Sequence, residues 1–186
     1  MTETQNASVV RPGFSSKTVS LRPCVGADIE RAHIWRELTD PQLWSVWAEP
    51  VVAPAVRAAE FEKLSADDRG AYLAAVGKVD GALVAVFRHT AFNLLNRSAR
   101  LEIYWSSADG RINDVFDALT LYIGYLFRQF NLNSVHAAVV SMNSAYIALL
   151  DRLKFHRDGV LRQRHYFNNE FHDEFVYSLL RYEAHL

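Results

Sequence analysis

The fold of this chain is decided between Ser98 and Phe155, where the sequence reads SARLEIYWSSADGRINDVFDALTLYIGYLFRQFNLNSVHAAVVSMNSAYIALLDRLKF. Its first part, Ala99–Trp105, alternates apolar and polar residues as a half-buried strand does. A helical run, a second strand over Val135–Val140 and a helix led by Asn143 follow. Two strands joined by a helix pair in parallel, because the helix must cross over between them. The stretch therefore predicts an α/β fold.

The sequence on both sides extends this core into a larger sheet. Thr18–Arg22 alternates as a strand, and Asp80-Gly81 is a hairpin turn between Gly70–Gly77 and Ala82–Phe87. A closing hairpin turns at Asn168-Asn169. We predict a flexible leader over residues 1–16 and one domain over residues 17–186. That domain is α/β, with a mixed central sheet of about seven strands and flanking helices.

The opening helices carry a cluster of tryptophans. Asp28 is the expected N-cap of a helix that ends near Leu38, and a second short helix is expected after Pro41. Another helical piece is expected over residues 58–64. Three tryptophans fall in and after these helices, and they serve either as core packing or as an aromatic wall over an acceptor pocket; they are Trp35, Trp44 and Trp47.

Composition excludes several classes of protein. A chain of 186 residues, half of them apolar, can bury a sizeable core without stabilising disulfides or metal ions. The single Cys24 cannot form an internal disulfide. The net charge of -1 gives no global attraction to nucleic acid or anionic lipid. No apolar run approaches the roughly 20 residues of a membrane span. The first residues lack the regions of a signal peptide, which predicts a cytoplasmic protein, and no metal-ligand spacing occurs.

Five short motifs, in the right order, resemble the GNAT acyltransferase superfamily, in the branch that includes ribosomal-protein alanine N-acetyltransferases. They are Thr18–Pro23, the acidic Asp28, Tyr125–Val135, Asn143–Phe155 and Tyr177–Glu183. The resemblance implies a single GNAT-like domain that moves an acyl group to an amine of a small molecule or a peptide N-terminus. It implies acetyl-CoA or another acyl-CoA as the donor, with acetyl-CoA as the default.

The sequence departs from that family at the loop before the long helix, which normally holds the pyrophosphate of CoA. Arg111 and Asn113 stand where the family keeps glycines, and only Gly110 remains. Bound diphosphate needs close backbone approach and several N–H groups, which side chains obstruct. Either Arg111 supplies a forked cationic donor instead, or the donor is an aminoacyl-tRNA or an acyl carrier protein. A further reading of the loop makes Asn113 or Asp114 a plain helix cap with no special donor chemistry. A separate alternative for the function is a non-catalytic GNAT-fold binding module.

Acyl transfer to an amine needs a proton acceptor and sometimes an acid for the leaving thiolate. Glu102, on the first core strand, is the first candidate for the base, with a solvent-facing strand residue as the alternative. Leu150 stands where several GNAT enzymes have a tyrosine acid, so Tyr146 is either a relocated acid or packing. His136 and Ser141 flank the second core strand and complete the catalytic candidates.

Seven residues are expected to hold the donor, because the resemblance puts the donor arm along the end of the first core strand and the following helix starts. They are Trp105, Ser106, Ser107, Gly110, Arg111, Asn113 and Asn143. A basic run over residues 152–165, beside Tyr166 and Phe167, is either a solvated face or a grip for CoA phosphates, a carrier-protein phosphopantetheine or an RNA backbone.

Overall fold

The computed structural model describes residues 14–38, 72–106 and 110–184, with isolated positions between 53 and 63. The strands are β1 Val19–Pro23, β2 Leu73–Gly77, β3 Leu83–Asn93, β4 Ser98–Trp105, β5 Ser134–Val140, β6 His156–Phe167 and β7 Glu170–Leu180. The helices are α1 Gly26–Leu38, α2 Ile112–Gln129 and α3 Ser144–Arg152. Most of the predicted leader, the helix expected after Pro41 with Trp44 and Trp47, and most of the piece at 58–64 lie outside the described residues.

The seven strands form one mixed sheet, as the sequence predicts, and their order in it is β1-β2-β3-β4-β5-β7-β6. All neighbours are antiparallel except β4 and β5, whose parallel pairing follows from the α2 crossover between them. The β2–β3 turn has Gly81 at φ 66°, and the β6–β7 turn has Asn168 and Asn169 at φ 50° and 62°. These are the positive angles that tight hairpins require.

The parallel pair opens into a wedge. Pairing joins Ser98–Arg100 to Ser134–His136 and goes no further, although β4 continues to Trp105 and β5 to Val140. Residues Leu101–Trp105 and Ala137–Val140 therefore flank a gap, which we call the cleft. Both strands run in the same direction, so the cleft opens at their carboxyl ends, the edge at which α/β sheets bind ligands.

The sheet has two unlike faces. Leu101 and Ile103 point into the main core with the buried residues of α2, and we call this side the α2 face. Glu102 and Tyr104 alternate to the opposite side, where α1 packs Ile29, Ala32 and Trp35 against Val86. We call that side the α1 face.

Helix α1 begins two residues before the predicted cap. Asp28 lies inside its first turn, and its carboxylate accepts a hydrogen bond of 2.8 Å from the N–H of Val25. The same carboxylate receives two hydrogen bonds from Arg22, at 2.5 and 2.8 Å. Asp28 therefore fills the reciprocal position of a capping box rather than the N-cap itself, which corrects the expectation from sequence.

Helix α3 ends in a Schellman motif at an unusual residue. The N–H of Phe155 donates to the carbonyl of Leu150 at 3.0 Å, and that of Lys154 donates to Asp151 at 3.0 Å. Lys154 takes φ 66°, a conformation in which glycine is favoured because it has no Cβ. A non-glycine residue therefore makes this turn at a conformational cost.

Replacing Lys154 with glycine should stabilise the protein. A non-glycine residue in the left-handed region costs about 1–2 kcal/mol, and the greater unfolded-state freedom of glycine offsets part of that gain. We expect the melting temperature to rise by about 2 °C for a chain of this length. Differential scanning fluorimetry measures the change, with Lys154→Ala as the control that keeps the Cβ. An equal rise in both variants would contradict the conformational explanation.

Candidate active site

Two helices begin at the open end of the cleft. β4 ends at Trp105 and the chain next forms α2 from Ile112, while β5 leads through Ser141 into α3. Asn143 caps α3, because its fully buried side chain accepts a hydrogen bond of 2.9 Å from the N–H of Tyr146. The positive ends of both helix dipoles therefore lie at the edge where the cleft opens, which favours negatively charged groups there.

The start of α2 differs from the expectation. Arg111 occupies the N-cap position, although its side chain makes no capping hydrogen bond to a backbone N–H of the helix, so neither Asn113 nor Asp114 is the cap. Gly110 before it has φ 64°, and no described atom lies within 4 Å of the place where a Cβ would be added. Gly110 thus leaves room for a ligand to approach the backbone. Ser107, with Ala108 and Asp109, lies outside the described residues.

The side chain of Arg111 joins three segments. Its guanidinium donates to Asp114 at 2.8 Å and to Asp80 in the β2–β3 turn at 3.0 Å. The hydrogen bond to Asp114, with the charges of both carboxylates, raises the pKa of Arg111. A Cβ at Gly77 would collide with the same guanidinium. Arg111 therefore holds the loop against the β2–β3 hairpin and neutralises two carboxylates beside the helix start.

Asn113 lies in the first turn of α2, where its side-chain oxygen accepts a hydrogen bond of 2.8 Å from Arg152. The guanidinium of Arg152 also lies 3.7 Å from the ring centroid of Phe116. The first turn of α2 is thereby tied to the last turn of α3. The hydrogen bond between Asn113 and Arg152 therefore gives both residues a structural role. Arg152 is the first residue of the basic run.

Tyr146 lies in the first turn of α3 with its ring edge-on to Trp105, at 5.4 Å between centroids. It is 1% exposed, and its hydroxyl has no hydrogen-bond partner among the described residues. Burial raises the pKa of Tyr146, with a smaller contribution from the negative charge of Glu102. The phenol is therefore a neutral group whose proton remains available, beside the residue that ends β4.

Glu102 lies on the α1 face, in the part of β4 that flanks the cleft. Its carboxylate accepts hydrogen bonds from Thr90 at 3.1 Å and from Tyr104 at 3.3 Å. Arg88 lies 3.6 Å away, and the Glu102 side chain is 13% exposed. Glu102 is therefore a half-buried anion fixed by three neighbours rather than a residue in open solvent.

The other two catalytic candidates lie at opposite ends of the cleft. His136 is at the closed end, paired with Arg100, and its Nε2 lies 3.0 Å from the Ser134 hydroxyl. Burial lowers the pKa of His136, so the imidazole is neutral near pH 7. Ser141 follows the open end, and its N–H donates to the carbonyl of Asp173 at 2.9 Å. The structure does not gather His136 and Ser141 into one cluster with Glu102.

Sequence reasoning missed two residues near this site. Glu174 is 3% exposed and lies 2.7 Å from the Nε2 of His165. The sequence shows His165 only as part of a basic run, and no motif distinguishes Glu174 from the other acidic residues of the tail.

Among the described residues, no group of three or more His, Cys, Asp or Glu side chains is arranged to hold a metal ion. In the same part of the chain, no helix is both long and apolar enough to cross a membrane.

The sheet order, the parallel pair at its centre and the cleft define an α/β protein with the GNAT acyltransferase fold. No family model and no curated protein matches the chain. A solved structure described as a probable acetyltransferase is 23% identical, with a TM-score of 0.75, over 90% of this chain and 96% of its own. Spermidine N-acetyltransferase SpeG from Vibrio cholerae, in complex with CoA and spermine, is 16% identical with a TM-score of 0.80, over 90% and 98%. A dodecameric structure of spermidine N-acetyltransferase from Vibrio cholerae is 17% identical, with a TM-score of 0.75, over 89% of this chain and 95% of its own.

Proposed function

We propose that this protein transfers an acyl group from an acyl-CoA, with acetyl-CoA as the default donor, to a primary amine. The observation that carries the proposal is the cleft, because the strands that flank it pair over only three residues each. Beyond that point the facing edge of β4 is paired with no described strand. Pantetheine is an extended chain with two amides, and an open strand edge supplies partners for such groups.

The helix starts support the same donor. Gly110 leaves open space before α2, and the α2 and α3 dipoles favour the phosphates of CoA at the open edge. A positive φ at Gly110 followed by Arg111 at φ -93° alternates the backbone between left-handed and right-handed conformations, the alternation typical of an anion-binding nest. The fold of a SpeG structure that contains CoA is consistent with this arrangement.

Tyr146 is the group we assign to the leaving thiolate. When the amine attacks the thioester carbon, the C–S bond breaks and the electron pair leaves with sulfur. A buried, neutral phenol with an unpartnered hydroxyl can donate its proton to that sulfur. The Tyr146 hydroxyl has no hydrogen-bond partner among the described residues, and this assignment gives it one that is present only during the reaction.

The α1 face supplies a site for the acceptor. Glu102 is a fixed anion there, with Tyr104 beside it, and Trp35 packs nearby on α1. An anion with aromatic neighbours attracts an ammonium group. SpeG is solved with spermine, which supports an aliphatic amine as the acceptor of this chain as well. We assign Glu102 to hold the ammonium group near the cleft.

Titration calorimetry with acetyl-CoA, followed by a thiol-release assay with an amine panel, tests this function. The panel contains spermidine, a simple alkylamine and a peptide with a free N-terminus. We expect micromolar acetyl-CoA binding and amine-dependent CoA release. Binding without release would favour a non-catalytic module. Release only from an aminoacyl-tRNA or an acylated carrier protein would favour the alternative donors suggested by the altered loop.

Arg111→Ala should weaken acetyl-CoA binding about tenfold, because it removes a cation and leaves Asp80 and Asp114 unneutralised beside the phosphate site. Turnover of acetyl-pantetheine, which has no diphosphate, should stay unchanged. The matched variant Asp80→Asn removes one of the carboxylates and should tighten binding slightly. An Arg111→Ala dissociation constant equal to that of the wild type would assign Arg111 to loop structure alone.

A further inference from the structure

The hairpin formed by β6 and β7 contains a buried carboxylate that the proposed function does not use. Glu174, on β7, is 3% exposed, and its Oε2 lies 2.7 Å from the Nε2 of His165 on β6. A buried carboxylate is costly unless it is paired, and in the described chain the imidazole of His165 is the partner the structure shows. The His165 side chain is 16% exposed, so part of the imidazole reaches solvent.

A β-bulge lies beside this pair. The register between β6 and β7 shifts between Leu161 and His165, and Gln163 takes φ 52°. The N–H of Gln163 donates to the side chain of Asp173 at 2.8 Å, which fixes the bulge. The shift brings Leu161, instead of Gln163, directly opposite Glu174. Bulges commonly re-aim a side chain next to an active site, and a non-glycine residue at positive φ is a cost that such a role explains.

The pair lies on the same face as Glu102, across the cleft. Glu174 is the register partner of Val140, the last residue of β5, and paired residues share a face. Arg100 and His136 are register partners in the parallel pair, so Glu102 and Tyr104 alternate onto that face as well. Neighbouring strands lie about 4.8 Å apart, so Glu174 is one strand beyond the β5 side of the cleft.

We propose that His165 is the general base for the acceptor amine and that Glu174 is its positioning residue. This deepens the proposed function and rests on it. The carboxylate accepts the hydrogen on Nε2, which fixes the tautomer and leaves the Nδ1 lone pair for the substrate. Glu102, held by donors from Arg88, Thr90 and Tyr104, binds the ammonium group instead of deprotonating it.

The proton balance is complete with groups already described. The ammonium proton passes to Nδ1 of His165, directly or through one water, and the neutral amine attacks the thioester carbon. The C–N bond forms, the C–S bond breaks, and the thiolate takes the proton of Tyr146. The product amide nitrogen releases its second proton to solvent, and the imidazolium of His165, stabilised by Glu174, returns its proton to restore the phenol through water.

Other titratable groups face the pair. His172 is the register partner of His165 on the same face, and its Nε2 lies 3.3 Å from the carbonyl of Phe167. Glu102 on β4 is the described carboxylate across the cleft. The variant His172→Gln is therefore the matched control, because it makes the same chemical change two residues from Glu174.

The test compares His165→Gln, Glu174→Gln and His172→Gln with two acceptors. Glutamine at 165 can still donate to Glu174, which protects the fold, but it cannot accept a proton. With an alkylamine at pH 7, kcat for His165→Gln should fall about 100-fold and for Glu174→Gln about tenfold. With methoxyamine, which is already neutral at pH 7, the rate of His165→Gln should stay within about threefold of wild type.

The pH profile adds a second readout. With the alkylamine, kcat/KM of His165→Gln should follow the fraction of unprotonated amine alone, whereas the additional inflection of the wild type should persist in His172→Gln. An equal loss with both acceptors, or no loss with either, would overturn the proposal for His165. A wild-type protein that acylates neither amine would overturn the proposed function instead, so the two failures are distinguishable.

Discussion

Tyr146→Phe is expected to lower kcat about 100-fold while raising the melting temperature. The fall follows from the loss of the proton donor for the departing thiolate, and general acid catalysis contributes about 10²–10⁴-fold. The rise follows from the removal of a buried hydroxyl that has no partner in the described chain. Burying such a group without a partner costs about 1–3 kcal/mol of folding free energy. We expect its removal to stabilise the protein by about 1 kcal/mol, which raises the melting temperature by roughly 3 °C.

The opposite signs of the two effects make this substitution decisive. If Tyr146 only packs against Trp105, the Tyr146→Phe protein should be more stable than the wild type and keep its activity. Tyr122→Phe is the matched control, because Tyr122 is equally buried but its hydroxyl lies 2.9 Å from Nδ1 of His89. That variant should lose stability and keep kcat. Stopped-flow thiol release and scanning fluorimetry give both quantities from one preparation.

Glu102→Gln is expected to lower kcat/KM for a cationic acceptor about 100-fold, mainly through a higher KM. Glutamine keeps the shape of the side chain and an oxygen for the Thr90 and Tyr104 donors, but it loses the negative charge that attracts the ammonium group. It also removes the negative charge 3.6 Å from Arg88, so Glu102 no longer offsets the positive charge of Arg88 near the ammonium group. The acetyl-CoA dissociation constant should not change.

Steady-state kinetics with varied amine, and calorimetry with acetyl-CoA, check this result. Glu170→Gln makes the same change at an exposed position of β7 and should leave both constants unaltered. Unchanged kinetics in Glu102→Gln would remove Glu102 from the site. A fall in kcat with an unchanged KM would indicate that Glu102, rather than His165, accepts the proton, as the sequence first suggested.

Sequence patterns predicted local features with small errors. Gly81 and the two asparagines at 168 and 169 form the expected turns, because tight hairpins need positive φ at fixed places. Asn143 caps α3, because its side chain accepts from a backbone N–H three residues away. Arg111 shows where this reasoning fails. Its partner Asp80 is 31 residues away, and no local pattern indicates that they meet.

The bulge in β6 shows a second kind of failure. A regular hairpin with its turn at Asn168-Asn169 places His165 opposite His172, as observed, and pairs Glu174 with Gln163, whereas the shift brings Leu161 opposite Glu174. The positive φ of Gln163 and its hydrogen bond to Asp173 accompany this shift. Neither residue type is typical of a bulge, so the sequence carries no signal for it.

The sequence by itself determined the order of strands and helices, the turns that join them and the parallel pair at the centre. Those features follow from alternation, capping and turn chemistry, which act between near neighbours. Only the tertiary structure decided where the β4–β5 pairing stops and which carboxylates hold Arg111. It also decided that the Tyr146 hydroxyl is buried with no hydrogen-bond partner among the described residues. These depend on side chains brought together from distant segments, where sheet twist and packing, rather than local preference, set the geometry.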